Sequence, residues 1–137
     1  MSQGRIFIVA KELVMGRAYR QALQEAGYTV WDTQSELQER ILAGQITLDL
    51  ILVMMPISQR EHLLAQQLKQ LPNSPILCCL LMENPGQYAA EAYQMGAQDV
   101  FPPPASKRDL SDRLGWLLER RKRERVGHVG ESFADRI

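Results

Sequence analysis

The chain has 137 residues, of which 45% are hydrophobic and 23% charged, and 16 basic residues balance 16 acidic ones. This length and composition are typical of one soluble globular domain with a sizeable core. The zero net charge excludes a global attraction to nucleic acid or to an anionic membrane, and no apolar run approaches the roughly 18 residues of a transmembrane helix.

The N-terminus and the cysteines both indicate a cytoplasmic protein. Met1–Gly4 does not have the form of a signal peptide. Cys78 and Cys79 are neighbours on a predicted strand, so their side chains point to opposite faces and a disulfide between them is unfavourable. We interpret them as two small buried hydrophobic residues rather than as a redox pair.

The first part of the chain alternates between strand and helix patterns. In order, these are a strand at Arg5–Val9, a helix at Met15–Ala26, a strand at Tyr28–Trp31, and a helix from a capping box (Thr33 with Glu36, or Ser35 with Gln38) to about Ala43. The helices follow from apolar residues at helical spacing and the strands from short apolar runs. Gly27 follows the first helix as its predicted C-cap.

The run Leu48–Pro56, LDLILVMMP, organises the rest of the chain. A near-continuous apolar run that ends at a proline indicates a strand buried on both faces of a parallel sheet. In such sheets the chemistry lies just outside the C-terminal ends of the central strands. Here those positions hold Met54 and Met55, and no carboxylate, histidine, serine or cysteine precedes Ser58.

The second part of the chain continues the alternation. Its predicted elements are a helix from a Ser58–Glu61 capping box to Leu71, a strand at Ile76–Leu81, a helix at Tyr88–Met95, a strand at Asp99–Phe101 and a helix from Ser106. The predicted inward leucines are Leu63, Leu64, Leu68 and Leu71 in the third helix, and Leu110, Leu114, Leu117 and Leu118 in the fifth. The proline run between the last strand and the last helix forbids regular structure.

Five strands alternating with five helices predict an α/β protein of the flavodoxin-like class. We expect a five-stranded parallel sheet in the order 2-1-3-4-5 with helices on both faces. The C-terminal ends of strands one, three and four then converge. The expected pocket is lined by Ala10, Lys11, Glu12, Val53, Met54, Met55, Leu80 and Leu81.

Two polar features have ordinary structural interpretations. Arg120–Arg125 contains five cations and one anion, which we interpret as a solvated helix end or an interdomain linker rather than a nucleic-acid contact. His62 and His128 have no partners at metal-ligand spacing, so we expect no metal and no cofactor.

Several segments carry a family resemblance. They are ALQEAGYTV at Ala22–Val30, DLILVMMP at Asp49–Pro56, LPNSPILCCL at Leu71–Leu80 and AYQMGAQDVFPPP at Ala92–Pro104. With the overall pattern, they make the chain from Arg5 to Arg121 resemble a response-regulator receiver domain. The resemblance implies a receiver-like domain at 1–121 and a linker or tail at 122–137, with or without a further domain after it.

The residues that carry receiver chemistry are absent. Receivers have an acidic, magnesium-holding pair after strand one, a phosphoryl-accepting aspartate on strand three, a hydroxyl residue ending strand four, an aromatic on strand five and a following lysine. The matching residues here are Ala10 and Lys11, Val53 or Met54, Leu80, Val100 (with Phe101 beside it) and Pro103. The resemblance therefore implies a pseudo-receiver that is not an enzyme. It also implies a cis peptide bond between Pro103 and Pro104.

Trp116 indicates a contact surface, because it lies off the inward stripe of the fifth helix. In receivers the fourth helix, fifth strand and fifth helix form the usual partner surface. The corresponding residues here are Tyr93, Gln94, Gln98, Arg108, Asp112, Arg113 and Trp116. A tryptophan packed under the tail is the structural alternative.

We therefore expect a phosphorylation-independent regulatory module in signal transduction or transcription regulation. It would act through homodimerisation or another signalling protein, without direct contact to nucleic acid or membrane. One alternative is a small-molecule sensor with a cavity walled by Leu13, Met54, Met55 and Leu80. The tail His128–Ile137 resembles the start of the AAA+ ATPase domain of bacterial enhancer-binding activators, which would make Glu119–Arg125 a linker helix.

Overall fold

A five-stranded parallel sheet forms the centre of the molecule, in a computed structural model that describes residues 3–102 and 106–134. The strands are β1 (Arg5–Ala10), β2 (Thr29–Asp32), β3 (Leu50–Met55), β4 (Ile76–Leu81) and β5 (Asp99–Phe101). The helices are α1 (Leu13–Glu25), α2 (Gln38–Leu42), α3 (Gln59–Lys69), α4 (Pro85–Gln94) and α5 (Lys107–Ala134). The strand order is β2-β1-β3-β4-β5 with every pairing parallel, which confirms the predicted topology.

The sheet separates two hydrophobic layers. Alternate strand residues such as Ile8, Leu52 and Cys78 face α1 and α5, and the residues between them face α2, α3 and α4. All six residues of β3 and all six of β4 are buried, because these central strands are covered on both sides. Among the described residues, no helix is both long and apolar enough to span a membrane.

Local hydrogen bonding changes where two helices begin. Neither predicted capping box starts α2, whose N-cap is Leu37 without a side-chain capping bond. Before the helix, Asp32 Oδ1 accepts the Gln34 N–H at 2.9 Å and Ser35 Oγ accepts the Leu37 N–H at 3.2 Å. The second of these bonds occupies the Ser35 hydroxyl, one of the two predicted capping groups. Helix α4 begins at Pro85 rather than Tyr88, since proline fits the first helical position.

The leucine stripes are confirmed in α5 and only in part in α3. Leu63 is 55% exposed, so its predicted inward position is wrong, although its neighbours Leu64 and Leu68 are buried. All four predicted leucines of α5 are buried against the sheet.

Seven residues after Leu114, the Arg121 guanidinium donates to the carbonyls of Asn73 at 2.6 Å and Asp49 at 3.4 Å.

Arg121 therefore ties α5 to the N-terminal edge of the sheet, and the helix then continues to Ala134. The domain boundary that the sequence places at Arg121 stays a prediction.

The Met55–Pro56 peptide bond is cis. The predicted cis bond between Pro103 and Pro104 lies outside the described residues.

Gly96 holds the turn after α4 in a conformation that other residues rarely adopt. Its φ is +93°, and a Cβ there would lie 1.8 Å from Lys69 Nζ, which donates to the Met95 carbonyl at 3.2 Å. We expect Gly96→Ala to lower the free energy of unfolding by more than about 1 kcal/mol, measured by urea denaturation.

Gly86 is the matched control for this substitution. It lies in the first turn of α4, where an added Cβ meets nothing within 4 Å. Gly86→Ala should be neutral or stabilise the fold by up to about 1 kcal/mol. Equal effects of the two substitutions would contradict the account of this turn.

Candidate functional site

The C-terminal ends of the central strands lie in one row across the sheet. Ala10 of β1 is paired with Met54 of β3, Met54 with Leu80 of β4, and Leu80 with Phe101 of β5. We call these four residues the terminal row. This row lies at the carboxyl edge of the sheet, where α/β proteins of this topology carry their reactive groups.

The terminal row is part of the hydrophobic core. Met54 is 4% exposed, Leu80 and Phe101 are also buried, and all three belong to the layer that includes Leu114 of α5. Ala10 is half-buried and packs against the same layer. The flexible thioether of Met54 suits this position, since methionine fills irregular spaces between stiffer side chains.

The residues that the sequence places in one pocket do not share one face of the sheet, because neighbouring strand residues point to opposite faces. Val53, Met55 and Leu81 belong to the opposite layer, with Cys79. Lys11 and Glu12 are exposed in the connection between β1 and α1. The structure thus brings Ala10, Met54 and Leu80 together, and the other predicted lining residues lie away from these three. Val100 is half-buried on the Val53 side, and Pro103 lies outside the described residues.

The cavity of the sensor hypothesis is not formed by its four residues. Met54 and Leu80 lie in one core layer and Met55 in the other, and Leu13 is exposed on the first turn of α1. Across residues 3–102 and 106–134, no three His, Cys, Asp or Glu side chains are grouped so that they could hold a metal ion.

The two thiols are buried and strongly disfavour ionisation. Burial, with a smaller effect of the Glu91 charge, raises the pKa of Cys79 to about 12. Burial is also the main cause that raises the pKa of Cys78, followed by the charge of Asp99. Since the thiolate is the reactive form, both cysteines are suited to packing rather than to redox chemistry.

Asp32 is a buried carboxylate that the sequence reasoning missed. It ends β2, accepts the Gln34 N–H at 2.9 Å and lies 3.2 Å from Arg20 Nη1. The signal in the sequence is an acidic residue directly after the apolar run of the second strand. Because a turn and an ion pair use its oxygens, Asp32 stabilises the β2–α2 connection.

All seven residues of the predicted contact surface are exposed. We call them the α4–β5–α5 surface: Tyr93, Gln94, Gln98, Arg108, Asp112, Arg113 and Trp116. Trp116 is 58% exposed, and a cleft of about 590 Å³ runs beside it between β5 and α5. Four of the seven, Gln98, Asp112, Arg113 and Trp116, line this cleft.

Cation–π contacts and ion pairs order this surface. The Arg113 guanidinium lies 4.5 Å from the centroid of the Phe101 ring and 3.3 Å from Asp99 Oδ2. Arg120 lies 5.4 Å from the centroid of Trp116. Each such contact contributes about 0.5–1 kcal/mol at an exposed site. Arg113 thus connects the last residue of the terminal row to the surface that Trp116 dominates.

Solved structures of response regulators have the same architecture. The receiver domain of the TMAO respiratory system response regulator TorR is 24% identical, with a TM-score of 0.66 over 85% of this chain and 98% of that one. An orphan response regulator of H. pylori is 20% identical, with a TM-score of 0.62 over 84% and 96%. A response regulator from Thermotoga maritima is 15% identical, with a TM-score of 0.66 over 87% and 99%.

The chain has the receiver fold. This likeness confirms the flavodoxin-like architecture that the sequence predicts, and at these identities it establishes the fold alone. No protein-family model matches the chain, and no curated protein matches it either.

Met54→Asp tests whether the terminal row is core or a polar site. A carboxylate at this buried position would lack a compensating charge, so we expect a loss of about 3–5 kcal/mol in the free energy of unfolding at pH 7. Burial raises the folded-state pKa of such a group, so the charge-dependent part of the loss should be absent below about pH 3.9 and grow as the pH rises, while the lost apolar burial costs stability at every pH. Urea denaturation at several pH values measures it.

Met54→Leu is the control, since a volume-conserving apolar exchange costs less than about 1.5 kcal/mol. If Met54→Asp cost no more than Met54→Leu at pH 7, the terminal row would be solvated and its description as core would be wrong.

Proposed function

We propose that this chain is a receiver-like regulatory module in signal transduction that works without accepting a phosphoryl group. One observation carries the proposal: the terminal row is apolar, and its Met54, Leu80 and Phe101 are buried, at the sheet edge where receivers hold their acidic site. The module is not an enzyme, and it regulates an attached or separate effector through protein–protein contact.

The chemistry of phosphoryl transfer supports this proposal. An acyl phosphate requires a carboxylate nucleophile, and magnesium requires oxygen ligands. Ala10, Met54 and Leu80 offer neither, and the Met54 thioether cannot form a phosphoryl ester. Lys11 follows the end of β1 and adds a positive charge that opposes a divalent cation.

Packing supports a module with one conformation. A working receiver holds several carboxylates close together, and their repulsion leaves the site poised between states. Here Met54 and Leu80 replace that repulsion with buried apolar area, and burying such a side chain contributes about 1.5–3 kcal/mol. A signal would then arise from binding of a partner rather than from a change inside the site.

The α4–β5–α5 surface is our candidate for that contact. Trp116 and Tyr93 are the kind of large exposed anchors that dominate interfaces. Arg108 and Arg113 alternate with Asp99 and Asp112, so the surface can complement itself across a two-fold axis. We propose a homodimer, with another signalling protein as the alternative partner.

The continuation of α5 beyond the sheet supports the proposal that the module regulates an attached effector. The helix leaves the sheet at Arg121 and runs without a break to Ala134. The resemblance of the tail from His128 to the start of an AAA+ domain favours a transcription activator as that effector.

Incubation with acetyl phosphate and magnesium tests phosphorylation independence directly. We expect intact-protein mass spectrometry to show only the unmodified chain, because the terminal row offers no acceptor oxygen. A functional receiver treated in the same reaction controls for reagent activity. A phosphorylated species of this chain would overturn the proposal.

Trp116→Ala tests the proposed surface. Loss of a central tryptophan should weaken a homodimer by about tenfold or more, measured by sedimentation velocity over a concentration series. Leu63→Ala is the matched control, because Leu63 is similarly exposed but lies on α3. A dimer that both substitutions weaken equally, or a wild-type chain that stays monomeric, would contradict the homodimer.

A further inference from the structure

An open apolar pocket of about 460 Å³ lies between the first two turns of α1, the end of β4 and the start of α5. Its lining residues are Glu12, Val14, Met15, Ala18, Tyr19, Met82 and Ser106. None of them belongs to the α4–β5–α5 surface, so the pocket is independent of the partner contact proposed above. Its size is in the range of small-molecule sites, about 300–1,000 Å³.

We propose that this pocket binds a small, uncharged, largely apolar molecule that carries one hydrogen-bond donor. The site would make the module a sensor through α1, whereas the sequence hypothesis placed a ligand among Leu13, Met54, Met55 and Leu80.

The apolar wall of the pocket is exposed to solvent. Val14 is 82% exposed and Met15 is also exposed, although both lie at the start of an otherwise amphipathic helix. Apolar side chains grouped around a concave surface mark ligand or partner sites, because their exposure to water has no structural benefit.

The inner wall connects the pocket to the core. Tyr19 and Met82 are half-buried and pack against the same layer as Met54 and Leu80. Helix α1 lies close to β1 at this point, since a Cβ on Gly16 would lie 3.4 Å from the Cβ of Ala10. The unbranched Met15 and Met82 side chains can adapt to the shape of a ligand.

The charges around the pocket favour an uncharged ligand. Glu12 precedes α1 and makes no side-chain capping bond, and among the described residues its carboxylate has neither a hydrogen bond nor an ion pair. That carboxylate opposes an anion, and the positive N-terminal end of the 13-residue α1 offsets part of its attraction for a cation.

The polar groups also determine which hydrogen bond a ligand can make. The Glu12 carboxylate is an acceptor without a partner in the described chain, so it fits a ligand N–H or O–H. Ser106 Oγ already accepts the Asp109 N–H at 3.0 Å. Burial raises the pKa of Tyr19, so its hydroxyl stays protonated at neutral pH.

Binding of N-phenyl-1-naphthylamine, an uncharged aromatic amine with one N–H, tests the pocket by fluorescence titration. We expect saturable binding to the wild-type chain. Ala18→Phe fills the pocket from an exposed position of α1, so it should weaken binding by about tenfold. Gln21→Phe is the control, because Gln21 is exposed on the next turn of α1 and does not line the pocket.

Methyl-labelled methionine spectra locate the dye without a substitution. The Met15 and Met82 signals should shift during the titration, whereas that of Met95, buried in the opposite layer, should not. The proposal is overturned if binding does not saturate, if Gln21→Phe weakens it as much as Ala18→Phe, or if Met15 and Met82 do not respond. These results do not depend on the acetyl phosphate reaction.

Discussion

Complete burial of β3 and β4 on both faces is the constraint on which the structure depends. Two helical layers cover the sheet, so every side chain of these strands must be apolar or fully paired. A catalytic α/β protein relaxes this rule at the last strand residues, where polar groups meet solvent. Here the apolar sequence continues through Met54 and Leu80, and the core therefore continues to the sheet edge.

This extension of the core makes the C-terminal edge of the sheet part of the packing that stabilises the fold. The sheet edge supplies packing, and the surfaces that we propose for recognition lie on the helices around it. The α4–β5–α5 surface presents aromatic and alternating charged groups, and the first turns of α1 present an open apolar pocket. The contact of Arg113 with Phe101 joins the end of the terminal row to the first of these surfaces.

The sequence predicted the parts of the fold that rest on long, unambiguous patterns. The strand order, the limits of the fourth and fifth strands and the α5 leucines followed from continuous apolar runs and helical spacing. The lack of a phosphoryl acceptor at Met54 stays a prediction from residue identity, since a thioether is not a carboxylate.

The sequence could not predict features that depend on competition between hydrogen bonds or on the relative positions of helices and distant residues. Ser35 had several possible hydrogen-bond partners, and its bond to the Leu37 N–H prevailed over helix capping. Leu63 and Leu64 both fitted an apolar stripe. The orientation of α3 against the sheet decides which of the two is buried. The α1 pocket arises from residues far apart in the sequence, Met15, Met82 and Ser106, which no local pattern connects.

The proposed function depends on the terminal row being a fixed part of the core. The most direct measurement compares amide NMR spectra of the labelled chain before and after addition of magnesium with beryllofluoride, a mimic of a phosphoryl group. The account predicts unchanged signals for Met54, Leu80 and Phe101, since no side chain of the terminal row carries an oxygen ligand. Saturable shifts at these three residues would contradict it.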